Sequence, residues 1–233
     1  MRLDAVLVAR FLGFVELAQL NPGGRVFFPN VIGAMVERFN FQKYPTKLED
    51  FDESKGIEFA EGRWNGTNVP RLTIYNNGFL VDTQTSTNDS ERVLFESLEW
   101  AKQKFGITFT PGMIFRKRYL SDLLFYCEAP ILNWFMPVEN LNLNLANVAS
   151  HVLGEQLAYS SIRVDLDFER YQRNAPIAPF TIQRRLEFAF SDNMYFSEAP
   201  LPTEDHKRLL EQFEKDVLAV RGPEYPQYKS VQR

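Results

Sequence analysis

The stretch from Val6 to Leu17 is apolar on every face, so periodicity alone does not separate a central strand from a buried helix. Its β-branched and aromatic content favours a strand. Asn21-Pro-Gly-Gly24 supplies a turn, and Pro29-Asn30 opens a predicted helix over Val31 to Phe39 with Val31, Met35 and Phe39 on one face. Two runs, Arg71 to Tyr75 and Phe79 to Thr83, flank Asn76-Asn77-Gly78, the signature of a tight hairpin. A helix follows, with Asn88 and Glu91 as a capping pair, an apolar stripe of Leu94, Leu98, Ala101 and Phe105, and Lys102, Lys104 and Gly106 at its end.

Beyond Gly106, Met113 to Tyr126 reads as extended chain interrupted at Ser121-Asp122, and a helix is expected from about Pro137 to Leu153. Phe180 to Phe190 is expected to pair with Met194 to Phe196 across Ser191-Asp-Asn193. The last helix spans Thr203 to Val220, with Leu209, Leu210, Phe213, Val217 and Val220 as its apolar face. Residues 223–233, after Gly222, read as a loose tail.

One self-match stands out. Ser121-Asp122 to Glu128-Ala-Pro130 recurs as Ser191-Asp192 to Glu198-Ala-Pro200, each copy reading as aromatic strand, stop, then helix. Such recurrence predicts an internal strand-helix duplication in the C-terminal half. The expected fold is α+β: a mainly antiparallel sheet covered by about four helices. Residues 1–222 form a single globular domain, divisible into sub-lobes 1–106 and 107–222.

Composition narrows the function classes. The chain has 233 residues, 45% of them apolar and 24% charged, an ordinary soluble composition with material for a large core. A net charge of −4 disfavours, without removing, nucleic-acid binding. The single cysteine, Cys127, cannot form an internal disulfide; a reducing, cytoplasmic setting is expected. Arg10 and Glu16 interrupt the first apolar stretch, which is too short and too charged to cross a membrane.

No nucleophile elbow, dinucleotide fingerprint or phosphate loop is present, so the candidate residues are weak ones. Asp122, Glu128, Asp192 and Glu198 take equivalent places in the self-match and, if convergent, would suit acid–base or metal-assisted hydrolysis. The bland alternative is turn chemistry and helix-entry charge. Thr85, Ser86, Thr87 and Ser90 lead into a helix N-terminus, where free N–H groups can hold an anion, although the same residues serve as ordinary caps. Arg116, Lys117, Arg118, Arg184 and Arg185 lie among aromatics on strands, a pattern suited to single-stranded nucleic acid or to internal ion pairs.

The acidic connector Glu49, Asp50, Asp52, Glu53 lacks the alternation of a calcium loop and reads as solvated. His151 and His206 have no partner at metal-ligand spacing and read as packing and surface residues. No metal site and no cofactor is expected. The leading expectation is a non-enzymatic interaction or assembly subunit with a protein partner or self-association; the alternatives are a carboxylate-based hydrolase and a single-stranded nucleic-acid module.

Overall fold

The computed structural model describes residues 1–24, 26–128, 130–132, 161–164, 178–185 and 187–221. The expected helix from Pro137 to Leu153, His151 within it and the tail from Gly222 lie outside the described residues. Those residues form an α+β protein with eight strands and four α-helices among them. None of those helices is long and apolar enough to cross a membrane.

The strands are β1 (Arg2–Phe14), β2 (Ile57–Trp64), β3 (Thr67–Tyr75), β4 (Gly78–Thr83), β5 (Arg116–Tyr126), β6 (Ser161–Val164), β7 (Phe180–Arg184) and β8 (Met194–Ala199). The helices are α1 (Leu17–Leu20), α2 (Phe28–Phe39), α3 (Thr87–Phe105) and α4 (Thr203–Arg221). Two compact units divide the chain: an N-terminal unit of Val6–Ser121 with Pro200–Glu204, and a C-terminal unit of Met1–Ala5, Asp122–Ala199 and Asp205–Arg233.

In the N-terminal unit the strand order is β2-β3-β4-β1, and all three pairings are antiparallel. The first apolar stretch is a strand, as its side chains favour. The β3–β4 hairpin forms across Asn76-Asn77, where Tyr75 pairs with Gly78. The β2 strand has a sequence signal that the hydrophobic runs overshadow: Asn65 and Gly66, at φ 46° and 84°, make the two-residue turn that pairs it with β3. Helix α2 starts at Phe28, earlier than expected, and buries Val31, Met35 and Phe39 as predicted. Helix α3 begins one step before the expected cap: the Ser86 hydroxyl, rather than Asn88, accepts from the Asp89 N–H at 3.1 Å. It ends at Gly106, whose φ of 72° closes the helix in the left-handed conformation. The core between helices and sheet includes Phe11, Phe39, Phe59, Leu72, Val81, Leu94 and Leu98.

In the C-terminal unit the order is β6-β7-β8 and then the second half of β5, from Asp122, with β6–β7 and β7–β8 antiparallel. Strand β5 runs through Ser121-Asp122 without the expected interruption. Ser121 is buried there, its hydroxyl donating to the Leu201 carbonyl, so a polar pair that reads as a turn is stable in extended chain. Its counterpart Ser191-Asp192 lies in a 3-10 turn, Phe190–Asp192, before β8. Strand β7 ends at Arg184, short of the expected Phe190.

Helix α4 has the expected span but a different inner face. Leu209 is 49% exposed, while His206, Leu210, Glu214 and Val217 are buried at helical spacing. Two of these four are polar, which a hydrophobicity pattern does not register.

Two strand–helix pairs share an order of elements. Strands β4 and β8 each have six residues, each lies beside a longer strand, β1 and β5 respectively, and each is followed by a 19-residue helix. Both helices open on Thr-x-Asp-x-x-Arg, and in both that Asp–Arg pair closes at 2.6 Å. Thr87 and Thr203, 116 positions apart, bond reciprocally: each backbone N–H donates to the other's hydroxyl, at 3.0 and 2.9 Å.

Candidate functional site

Helix α2 packs against β2 and α3 against β4, and the N-terminal unit holds a pocket of about 250 Å³ lined by both helices and by β3 and β4. Leu72, Ile74 and Phe79 form its floor, while Val31, Met35 and Phe39 from α2 and Leu94, Leu98, Trp100, Ala101 and Phe105 from α3 form its walls. The polar lining residues are few. Asn21 is spent clasping the Val26 backbone, donating to its carbonyl at 2.8 Å and accepting its N–H at 3.0 Å. Ser97 donates to the carbonyl of Val93 one helical turn back. Glu53 is the charged residue of the lining; its backbone carbonyl accepts from Asn76 N–H at 3.1 Å, which fixes this segment beside the β3–β4 turn.

Trp100, half-buried, belongs both to this pocket and to a cation–aromatic cluster in which Trp64 is buried and the cations Arg38 and Lys104 are exposed. The Arg38 guanidinium lies 4.4 Å from the ring centre of Trp64 and 5.8 Å from that of Trp100, and the Lys104 ammonium lies 5.5 Å from Trp100. Phe39 stacks on Trp64 at 4.7 Å, and the Trp64 indole N–H donates to Glu96 at 2.5 Å. The rings are thus fixed by packing, while Arg38 and Lys104 are exposed and, among the described residues, have no carboxylate within ion-pair distance. In the sequence Lys104 reads only as an end-of-helix charge. The spacing of Trp100 and Lys104, one turn apart on a helix, was the available signal.

The four acids of the self-match do not gather. The Cys127 N–H donates to the Asn193 carbonyl at 3.2 Å, and the Phe125 and Tyr195 rings stack at 5.6 Å. The contacts advance along β5 as they retreat along β8, the mark of antiparallel neighbours. That register sets Asp122 opposite Glu198, and Glu128 opposite Asp192 at the other end of the strands, roughly 20 Å away at the rise of a strand. Glu128 and Asp192 are exposed, and Asp122 and Glu198 half-buried. No group of three or more His, Cys, Asp or Glu side chains poised for a metal exists among the described residues.

The hydroxyl cluster before α3 is tied into the fold. Ser86 caps the helix, Ser90 donates to the Ala9 carbonyl at 2.6 Å and lies 2.8 Å from the Thr83 hydroxyl, and Thr87 is engaged with Thr203. Thr85 is exposed, with its hydroxyl 3.4 Å from that of Thr83. Two arginines neutralise Asp82, which precedes this cluster on β4. Arg10 grips it at 2.7 and 2.9 Å, and Arg71 reaches it at 3.0 and 3.1 Å.

The basic strand residues have mixed surroundings. Lys117 pairs with Glu91 at 2.5 Å and Arg185 with Glu187 at 3.0 Å. Arg118 and Arg184 lie over the rings of Phe14 and Tyr195, at 5.8 and 5.1 Å, and Arg116 is exposed. Tyr119 is pushed up to about 12 by burial and by its bond to Glu91.

In the C-terminal unit Cys127 is buried, and burial, reinforced by the Glu214 carboxylate, pushes its thiol well above the ordinary range. A thiol held protonated is a poor nucleophile. Glu214 accepts the Glu128 N–H at 2.9 Å and pairs with the Met1 amino group. His206, expected at the surface, is fully buried, 2.8 Å from the Ser197 hydroxyl and edge-on to Phe180. The acidic connector bonds to itself: Asp50 accepts from Thr46 and Lys47, and Asp52 from Ser54. Compared with known proteins, the chain matches no family model and no curated sequence.

Proposed function

We propose that this chain is a non-enzymatic interaction or assembly subunit of a reducing, cytoplasmic compartment, and that the Arg38–Trp64–Trp100–Lys104 face of the N-terminal unit meets its protein partner. The cation–aromatic cluster carries this reading. Tryptophan and arginine are the residues on which binding energy concentrates at interfaces, and here the rings are immobilised beforehand by Phe39 and Glu96, so little ordering entropy is lost on docking. Two exposed cations with, among the described residues, no carboxylate at ion-pair distance call for a partner surface that presents acidic side chains. The reactive groups elsewhere support the same reading: the hydroxyls of Ser86, Thr87 and Ser90 and the Cys127 thiol are engaged in holding the fold.

The test is affinity capture from the native host with wild-type chain, Arg38→Glu and Lys104→Glu as baits. A partner lost from both variants, whose thermal stability is unchanged, is the expected result. Equal recovery by all three baits removes this face from the proposal.

A second reading retains the carboxylates in reduced form. Asp122 opposite Glu198 is a pair able to share one divalent cation, the minimum for metal-assisted hydrolysis. Titration with Mg²⁺ or Mn²⁺, followed at these two residues by NMR, is expected to give saturable shifts if this reading holds; their absence at millimolar ion sinks it.

The shared order of elements also favours a duplication wider than the self-match: two β-strand-to-helix units at a spacing of 116 positions, with the Thr87–Thr203 bonds joining equivalent residues. On that view the similarity of residues 121–130 to 191–200 reflects two aromatic strands that lie side by side.

A further inference from the structure

We infer that the pocket between α2, α3 and the sheet is a binding site for a small apolar amine, a compact aromatic or alicyclic body carrying one ammonium group. The volume sets the size. A cavity of ~150 Å³ lined by aliphatic and aromatic side chains takes up benzene, so about 250 Å³ suits a molecule of roughly ten to twelve heavy atoms. The lining sets the body: Phe39, Phe79, Trp100 and Phe105 give ring faces and Leu72, Leu94 and Leu98 aliphatic ones. The polar inventory sets the charged end. Asn21 and Ser97 are engaged with backbone groups, whereas Glu53, a half-buried lining residue, has among the described residues no side-chain hydrogen bond and no ion pair. An ammonium group supplies what that carboxylate lacks, while an acid or phosphate would be repelled. Pockets with mostly apolar walls and one placed polar group are the usual form of small-ligand sites.

The inference does not depend on the partner-binding face, although Trp100 touches both. Two probes of equal length decide it, 4-phenylbutylamine and its neutral counterpart 4-phenylbutan-1-ol, titrated into the full chain while the Trp100 indole resonance is followed by NMR. Saturable binding of the amine is expected, with a preference over the alcohol of about tenfold, the difference between a charge-assisted and a neutral hydrogen bond. Glu53→Gln should bring that preference close to one without unfolding the chain. Ala101→Phe should abolish binding of both by filling the pocket; Ala18→Val, which lines the pocket from α1, serves the same purpose should Ala101→Phe fail to fold. Arg38→Glu should leave both affinities unchanged, which separates this site from the proposed partner face. No saturable binding at millimolar probe, an amine preference that survives Glu53→Gln, or full binding in a folded filled variant overturns the inference.

Discussion

Replacing Asp82 by alanine tests the electrostatic account of the sheet most sharply. The Asp82 side chain is 8% exposed and takes a bidentate grip from Arg10, at 24%, and a second contact from Arg71, at 37%. Breaking a fully buried pair costs about 3–5 kcal/mol because a charge is stranded, whereas an exposed pair is worth about 0–1 kcal/mol. Arg10 lies between these limits, and Arg71 lies near the second. Asp82→Ala should therefore cost about 2–3 kcal/mol, mostly through Arg10, and lower Tm by roughly 4–12 °C for a chain of this size. Arg71→Ala, which leaves the Arg10 grip in place, should cost no more than about 1 kcal/mol. Urea unfolding at constant m, with a double-mutant cycle on Arg10 and Asp82, gives both numbers and their coupling. A loss below about 0.5 kcal/mol in Asp82→Ala, or a larger loss in Arg71→Ala than in Asp82→Ala, would refute the reasoning, since additive surface effects are of that size.

Gly78→Ala should destabilise by about 1–3 kcal/mol, because a Cβ there would lie 2.4 Å from the Gly13 carbonyl at a φ of 155°; thermal unfolding measures it. Thr87→Val should cost about 1–3 kcal/mol by leaving the buried Thr203 N–H unsatisfied, and adding Thr203→Val, which strands the Thr87 N–H in turn, should cost close to the sum of the two singles, as chemical denaturation would show. Cys127 should resist thiol-blocking reagents in the folded chain and react on unfolding. Its folded pKa is raised above the unfolded value near 9.0, so its contribution to stability is complete below that pH and is lost as pH rises above it. The Asp52 carboxyl, which Ser54 and Lys55 hold down to about 2 from 3.8, should titrate by NMR near the lower value, and its contribution should persist above pH 3.8 and vanish on acidification through 2.

What the sequence revealed follows from which interactions are local. The Asn76-Asn77-Gly78 turn, the Gly106 stop and the Val31, Met35, Phe39 stripe are set by nearby residues and were legible. Strand β2 was legible in principle through Asn65-Gly66, but its short alternation follows directly on the acidic connector. The inner face of α4 was hidden, because His206 and Glu214 are stabilised by Ser197 and by the Glu128 N–H, partners distant in the chain. The pocket is hidden for the same reason: its lining runs from Leu17 to Ile107, and apolar side chains that face a pocket look in sequence like those that face a core. The four acids hold matching places in the self-match, yet an antiparallel register sends equivalent positions to opposite ends of a strand pair.

The native particle mass tests the interaction reading most directly. Drawn from its host without denaturation and measured by light scattering, the chain should run above its own 27.1 kDa. The Arg38→Glu and Lys104→Glu forms should return to it. A wild-type chain that runs at 27.1 kDa across the working concentration range would contradict the account.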